Sequence, residues 1–283
     1  MSETAAVGFI GLGNIGAPMA RRLVEWPGGL VVCDVVPEAT APFAEQGAVV
    51  ASSPADVADR AMVISVMVRD DAQVADVLDG PRGILRTARP GTVVAIHSTV
   101  EADSPARFAA MAAAHDVHVV DAPVSGGAMG AAEGSLAFMV GGTEEAFALV
   151  EAPFALMGSL VARMGGVGAG TRAKLARNLV TFASYAAVGE AMRLAEASGV
   201  DLTLLGEVIR HSDRVTGGPG AIAIRPTAQS MAADDGLRPI FDHTRQLGEK
   251  DLSLAVMLGS NYELDMPIAR EALESLHTAL GFE

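Results

Sequence analysis

Cysteine is nearly absent from this 283-residue chain: Cys33 is the only one, so no intramolecular disulfide can form. It lies in the apolar run Leu30–Cys33, which points to a buried core position, and a reducing cytoplasm is the expected compartment. Positive charge is scarce as well. The 20 Lys and Arg face 34 Asp and Glu, a net charge of −14, which argues against nucleic acid or an anionic membrane surface as a partner. No apolar run reaches the length of a membrane span, and MSETAAVGFIGLG has no basic segment ahead of its apolar residues, so neither a membrane segment nor a secretory leader is expected. No metal site is expected. What is abundant is apolar side chain, half of all residues, in a length that suits roughly two domains.

Short apolar runs alternate with amphipathic stretches from Val7 to Met164: Val7–Ile10, Leu30–Cys33, Met62–Val66, Thr92–Ile96, His118–Asp121, Leu136–Val140 and Leu160–Met164. Strands alternating with helices imply an α/β domain with a mainly parallel, doubly wound sheet. After the glycine-rich stretch 165–170 the character changes. Thr171 to Ser198 holds no proline and is rich in Ala, Leu and Met, which predicts one long helix. Leu202–Arg210, Ala221–Ala232, Phe241–Leu258 and Pro267–Leu280 also read as helical, with no convincing strand. The expected domains are therefore residues 1–166, a nucleotide-binding sheet, and 167–283, an all-α domain reached through the long helix. No internal repeat and no low-complexity tract interrupts them.

Gly11-Leu12-Gly13-Asn14-Ile15-Gly16 directly follows the first predicted strand and opens a helix expected to run from Ala17 to Trp26. That context suits a dinucleotide: the glycines permit a tight turn and close approach of a pyrophosphate, which the helix start attracts. Asp34 ends the second strand 18 residues after Gly16, where a carboxylate accepts the adenosine ribose hydroxyls. It repels a 2′-phosphate, and Val35, Val36 and Pro37 follow in place of an arginine, so NAD is favoured over NADP. Main-chain groups of Met67 and Val68, at a strand's carboxyl end, can reach a cofactor ribose, and Ser98 or Thr99 the nicotinamide side, or these residues simply shape their loops. His97, a lone histidine with no partner carboxylate identifiable from spacing, reads as structural.

The stretch 121–142, DAPVSGGAMGAAEGSLAFMVGG, supplies a second glycine-rich turn. Asp121 closes an apolar run, Pro123 is expected to forbid a regular ladder, and Ser125, Gly126 and Gly127 bring small residues and backbone N–H groups. Such a turn can cradle an anion or be a plain strand-to-helix turn. Lys174 and Asn178 lie four residues apart on the long helix and share a face. A lysine ammonium can protonate a carbonyl oxygen as hydride arrives, and its neutral form can take the alcohol proton; partial burial beside a cofactor would lower its pKa. Lys250, in GEKDLSLA, is expected to open the final glycine-poor helical stretch, and either reaches cofactor or substrate or forms a helix-face ion pair with Asp251.

Together GFIGLGNIGAPMA, DAPVSGG with FMVGG, Lys174 with Asn178, and Lys250-Asp251 resemble the β-hydroxyacid dehydrogenase family, a 6-phosphogluconate dehydrogenase-like group, over essentially the whole chain. The 3-hydroxyisobutyrate dehydrogenases are nearest in pattern. The resemblance implies a Rossmann domain, a long interdomain helix, an all-α substrate and dimerisation domain, and an active site in the cleft between domains. It further implies that Ser125, Gly126 and Gly127 hold a substrate carboxylate, that Lys174 is the acid/base with Asn178 supporting it, and that Lys250 lines the site. The expected activity is hydride transfer between NAD and a small 3-hydroxy acid, in a homodimer or dimer-based tetramer. Two other readings are an NADPH-linked glyoxylate, succinic semialdehyde or imine reductase, and a non-catalytic nucleotide-binding sensor or scaffold. Arg177 departs from the paired asparagines of many members. It either reads a second substrate anion or turns outward toward an acidic neighbourhood such as that of Glu190.

Overall fold

The computed structural model describes residues 4–282. The chain divides into two compact units, Met1–Ala176 and Arg177–Glu283. In the first, strands β1 (Ala6–Ile10), β2 (Leu30–Cys33), β3 (Val49–Val50), β4 (Ala61–Val66), β5 (Val93–Ile96), β6 (His118–Asp121), β7 (Val124–Ser125), β8 (Leu136–Gly141) and β9 (Gly158–Gly165) form one sheet. Its helices are α1 (Gly16–Arg21), α2 (Ala41–Ala44), α3 (Pro54–Arg60), α4 (Asp71–Asp79), α5 (Ser104–Ala113), α6 (Gly127–Glu133) and α7 (Glu144–Met157). The order is β3-β2-β1-β4-β5-β6-β8-β7, with β9 paired to β8. From β3 to β6 every pairing is parallel, and the order reverses direction between β1 and β4, where such sheets open a crevice at the strands' carboxyl ends.

The apolar runs read as near-continuous because both sheet faces are covered. Successive residues point to opposite faces, so Phe9, Val32, Val93 and Ala95 join a core with Met19, Phe138 and Phe154. Ile10, Val31, Val94 and Ile96 join the other with Val57, Leu78 and Phe108. Local chemistry starts the helices. Ser53 accepts from Asp56 N ahead of α3, Asp70 from Gln73 N ahead of α4, and Thr143 from Ala146 N ahead of α7.

Three expectations need correction. The helix foreseen to Trp26 ends at Arg21, and the chain tightens into turns with Leu23 N on Ala20 O and Trp26 N on Leu23 O. Pro27 disfavours the helical region at Trp26. Pro123 does not prevent pairing. Val124 and Ser125 pair antiparallel with Phe138 and Ala137, and Pro123 takes part as an acceptor from Met139 N at 3.1 Å, a role that needs no N–H. The helix foreseen over Ala221–Ala232 is instead a run of turns after a short 3-10 turn at Gly218–Gly220. Pro226 removes a donor from its middle, and of its apolar side chains only Met231 is buried, so nothing offsets the loss.

Helix α8 (Ala169–Ala197) begins in the first unit and runs on through the second, which adds α9 (Leu202–Thr216), α10 (Arg238–Asn261) and α11 (Pro267–Ala279). Within the second unit, α10 and α11 pack where Gly248 faces Leu276, and the buried Glu190 carboxylate of α8 accepts from Ile268 N and Ala269 N at 2.7 and 3.0 Å, capping α11. Its core is small: Met231, Phe241 and Leu280, backed by Leu237, Leu276 and Phe282. Among the described residues α9 and α11 bury none. Leu204, Val208, Leu247, Leu254 and Met257 stand exposed.

Candidate active site

The turn after β1 is built by glycine sterics. Gly11 has φ +93°, and a Cβ there would lie 2.2 Å from Met67 O; one on Gly16 would lie 2.0 Å from Gly11 O. These two positions hold the turn against β4 and α1. Gly13 differs, since a Cβ on it would meet no protein atom within 4 Å. It faces a hollow of about 930 Å³ lined also by Gly11, Asn14, Ile15, Gly16, Asp34, Met67 and Val68. Leu12 turns its side chain into the core and its N–H to Asp34 Oδ2 at 2.6 Å, while Val36 N donates to Asp34 Oδ1 at 2.7 Å. The Asp34 carboxylate is thereby oriented at the rim of the hollow. A bare glycine facing open space, a helix start and an oriented carboxylate fit a dinucleotide. Val68 is held by Ser98, whose hydroxyl donates to Val68 O at 2.6 Å and accepts from Val68 N at 3.1 Å. Thr99, beyond it, is exposed.

At the carboxyl end of β6 a second group assembles. Ser125 ends β7, and Gly126 and Gly127 turn the chain into α6 with φ +135° and +64°, conformations that favour glycine. Lys174, in the second turn of α8, donates from Nζ to Val124 O at 2.6 Å, one residue before Ser125. The first unit thus brings the lysine and the Ser125–Gly127 turn together beyond the carboxyl end of β6, and the nucleotide hollow lies at the carboxyl ends of β1, β2 and β4. Asn178, half-buried, follows Lys174 by about one helical turn and belongs to the second unit, as does Lys250. Lys250 does not open a helix as expected. It lies midway along α10, its side chain 60% exposed and paired with Asp251 at 2.9 Å. Arg177 is exposed, and Glu190 is no partner for it, because it stands 13 residues further along the same helix, about 20 Å away.

Two buried groups carry more of the geometry than spacing suggests. His97 Nδ1 lies 2.8 Å from Ala122 O and Nε2 3.0 Å from Ser65 Oγ, among the rings of Phe9, Phe138 and Phe154. Burial lowers its pKa to about 4 against the pull of the Ala122 carbonyl, so at neutral pH it is an uncharged brace between β4, β5 and the Ala122–Val124 corner. Asp121 Oδ1 accepts from Gly168 N and Oδ2 from Thr171 N, both at 2.6 Å, across 47 and 50 residues of sequence. Burial pushes this carboxyl up from its ordinary value, against the pull of the two N–H groups. One signal for it was legible. The long helix opens after Gly166-Val167-Gly168 with no Ser, Thr, Asp or Asn to cap it, so its cap had to come from elsewhere.

A hollow of about 1150 Å³ in the second unit is lined by Asp234, Asp235, Arg238, Asp242, Arg245 and Glu249. Its arginines are already engaged, Arg245 with Asp242 and Glu249 at 2.8 Å and Arg238 with Met231 O at 2.9 Å, and it contains none of the residues above. Among the described residues no cluster of three or more His, Cys, Asp or Glu could hold a metal, and no helix is long and apolar enough to cross a membrane.

Residues 6–166 match the family described as the NAD binding domain of 6-phosphogluconate dehydrogenase, and residues 168–281 that described as the NAD-binding of NADP-dependent 3-hydroxyisobutyrate dehydrogenase. The chain is 54% identical to an uncharacterized oxidoreductase of Mycobacterium tuberculosis, over 99% of this chain and 94% of that protein. It is 35% identical to the mitochondrial 3-hydroxyisobutyrate dehydrogenase of Homo sapiens, over 90% of this chain and 76% of that one. Among solved structures, the 3-hydroxyisobutyrate dehydrogenase of Mycobacterium tuberculosis with L-serine matches at 28% identity and TM-score 0.67, covering 99% of this chain and 96% of that one.

Proposed function

The chain belongs to the β-hydroxyacid dehydrogenase family and is a pyridine-nucleotide-dependent oxidoreductase of its 3-hydroxyisobutyrate dehydrogenase branch; we propose that it oxidises a small 3-hydroxy acid with NAD, Lys174 serving as the acid/base. The observation that carries this reading is the 2.6 Å bond from Lys174 Nζ to Val124 O, which holds the lysine beside the Ser125–Gly127 turn. The Gly11–Gly16 turn and Asp34 would hold the nicotinamide dinucleotide, which would supply the hydride acceptor for oxidation and the donor for the reverse direction. Ser125 and the main-chain N–H groups of Gly126 and Gly127 bind the substrate carboxylate and so place the hydroxyl near Lys174. Neutral Lys174 takes the hydroxyl proton during oxidation, and its ammonium gives the proton back to the carbonyl oxygen during reduction. Asn178, about one turn along α8, supports the lysine or the substrate hydroxyl. Thr99, at the carboxyl end of β5, and Lys250 contribute to cofactor binding. Asp34, with exposed Val35 and Val36 after it and no arginine, favours an unphosphorylated ribose.

The test follows reduced-nicotinamide absorbance, with NAD and NADP separately, against hydroxyisobutyrate, hydroxypropionate, serine, threonine, hydroxybutyrate and tartronate. Turnover with NAD and a monocarboxylate is expected, and Lys174→Ala should abolish most of it. A Lys174→Ala enzyme with near-wild-type turnover would sink the assignment.

The small core of the second unit supports a further part of the proposal, a homodimer formed through that unit. A unit of this length with three residues in its buried cluster and whole helices that bury none needs a second copy to cover its apolar faces. Sedimentation velocity at micromolar protein should give a dimer or larger species; a monomer alone would contradict it.

A further inference from the structure

We propose that Asp121 is a positioning residue for Lys174, setting the height and rotation of the helix that carries the lysine against the Ser125 turn. This rests on the assignment of Lys174 as acid/base made above. The carboxylate reaches two amides at the start of α8, Gly168 N and Thr171 N, both at 2.6 Å. Because the two bonds involve different oxygens and amides three residues apart, they restrain both translation along the helix axis and rotation about it.

The backbone around Asp121 is shaped for this contact. Asp121 pairs with Gly141 of β8, and a Cβ on Gly141 would lie 2.4 Å from Asp121 Oδ1 and 2.8 Å from Gly170 N. A Cβ on Gly170 would lie 2.2 Å from Met139 O and 2.5 Å from Asp121 O. Only with glycine at both positions can the helix start settle onto the ends of β6 and β8.

The other end of the restraint is Lys174 itself. It lies three residues beyond Thr171, and its Nζ donates to Val124 O, three residues beyond Asp121. Asp121 to Val124, and Thr171 to Lys174, thus form two short arms joined at both ends, one by carboxylate-to-amide bonds and the other by ammonium-to-carbonyl. A helix held at the carboxylate end delivers its lysine to one place. Released there, it keeps the chain connection but loses the register that brings Nζ to the turn.

The experiment compares wild type, Asp121→Asn and Lys174→Ala with the substrate that the panel identifies. In Asp121→Asn the amide nitrogen faces an N–H donor, so one bond is lost. We expect kcat to fall about tenfold to a hundredfold, as for small displacements of a catalytic group. The NAD dissociation constant should stay within about twofold, and the acid limb of kcat for the oxidation, where Lys174 must lose its proton, should move. A loss of fold alone would lower active-enzyme concentration and leave that limb where it was. Wild-type kcat and an unmoved limb in Asp121→Asn, with Lys174→Ala inactive, would overturn the positioning role and leave the acid/base assignment standing. An active Lys174→Ala would overturn both. If Asp121→Asn does not fold, Gly170→Ala tests the same seat through its clash with Met139 O and is expected to show the same shifted limb; an unchanged profile counts against the proposal. In the wild-type enzyme the Gly168 and Thr171 amides should exchange slowly with deuterium, and exchange at open-loop rates would overturn the clamp.

Discussion

Lys174 and Val124 are joined by a 2.6 Å hydrogen bond across 50 residues of sequence, and the residue after Val124 is Ser125. The proposed acid/base nitrogen and the first residue of the proposed carboxylate cradle therefore share one corner. Ser125→Ala should then raise KM for the hydroxy acid by about tenfold or more, the cost of one hydrogen bond to a charged group, while KM for NAD changes little. Steady-state kinetics with each substrate varied separately would show it. Equal rises in both KM values would place Ser125 outside the cradle.

Gly13 and Gly16 stand three residues apart in one fingerprint yet answer to different constraints. A Cβ on Gly16 collides with Gly11 O at 2.0 Å, whereas one on Gly13 meets only the hollow. Gly13→Ala should keep the melting temperature of the wild type and weaken NAD binding by about tenfold or more, because the methyl group occupies space the pyrophosphate needs. Gly16→Ala should lower the melting temperature itself. Calorimetric titration with NAD alongside thermal unfolding separates the two; unchanged NAD affinity in Gly13→Ala would remove the pyrophosphate from this turn.

Asp34 accepts from Leu12 N and Val36 N, so its carboxylate is fixed at the rim of the hollow, where the proposed site puts the adenosine ribose. Asp34→Asn keeps an acceptor for one amide and removes the charge. The ratio of kcat/KM for NAD to that for NADP should fall at least about tenfold, since two unscreened like charges near 4 Å repel by about 4 kcal/mol at an effective dielectric constant of 20. An unchanged ratio would show that discrimination is made elsewhere.

His97 gives the acid limb of stability a definite sign. Folded, burial keeps it neutral down to about pH 4; exposed in the unfolded chain it protonates near 6.5. Its contribution is full above pH 6.5 and is lost as pH falls through about 4, at most about 3 kcal/mol for a shift of this size. Thermal unfolding followed from pH 7 to 4 should show a smaller drop in His97→Gln than in the wild type. Parallel curves would mean that His97 stays neutral in neither state or in both.

Much of the fold was legible in the sequence because its causes are local. Alternating apolar runs predict seven of the strands, since a strand covered on both faces is mostly apolar, and the fingerprint glycines are recognisable from their spacing directly after the first strand. The long helix is likewise written in its composition, and the nucleotide half of the site follows from a strand, a turn and a carboxylate 18 residues on. Short strands β3 and β7 were not legible, because two residues carry no period. Nor did spacing reveal why the long helix begins where it does. Its cap, Asp121, lies 47 and 50 residues upstream of the amides it binds, and His97 becomes a neutral brace only when Ser65, Ala122 and three aromatic rings close around it. The sequence by itself determined the layers, the nucleotide turn and the residue types available for proton transfer. Tertiary structure alone decided where Lys174 stands, because that position depends on hydrogen bonds between distant segments whose strength comes from burial, and burial exists only once the sheet has closed over them.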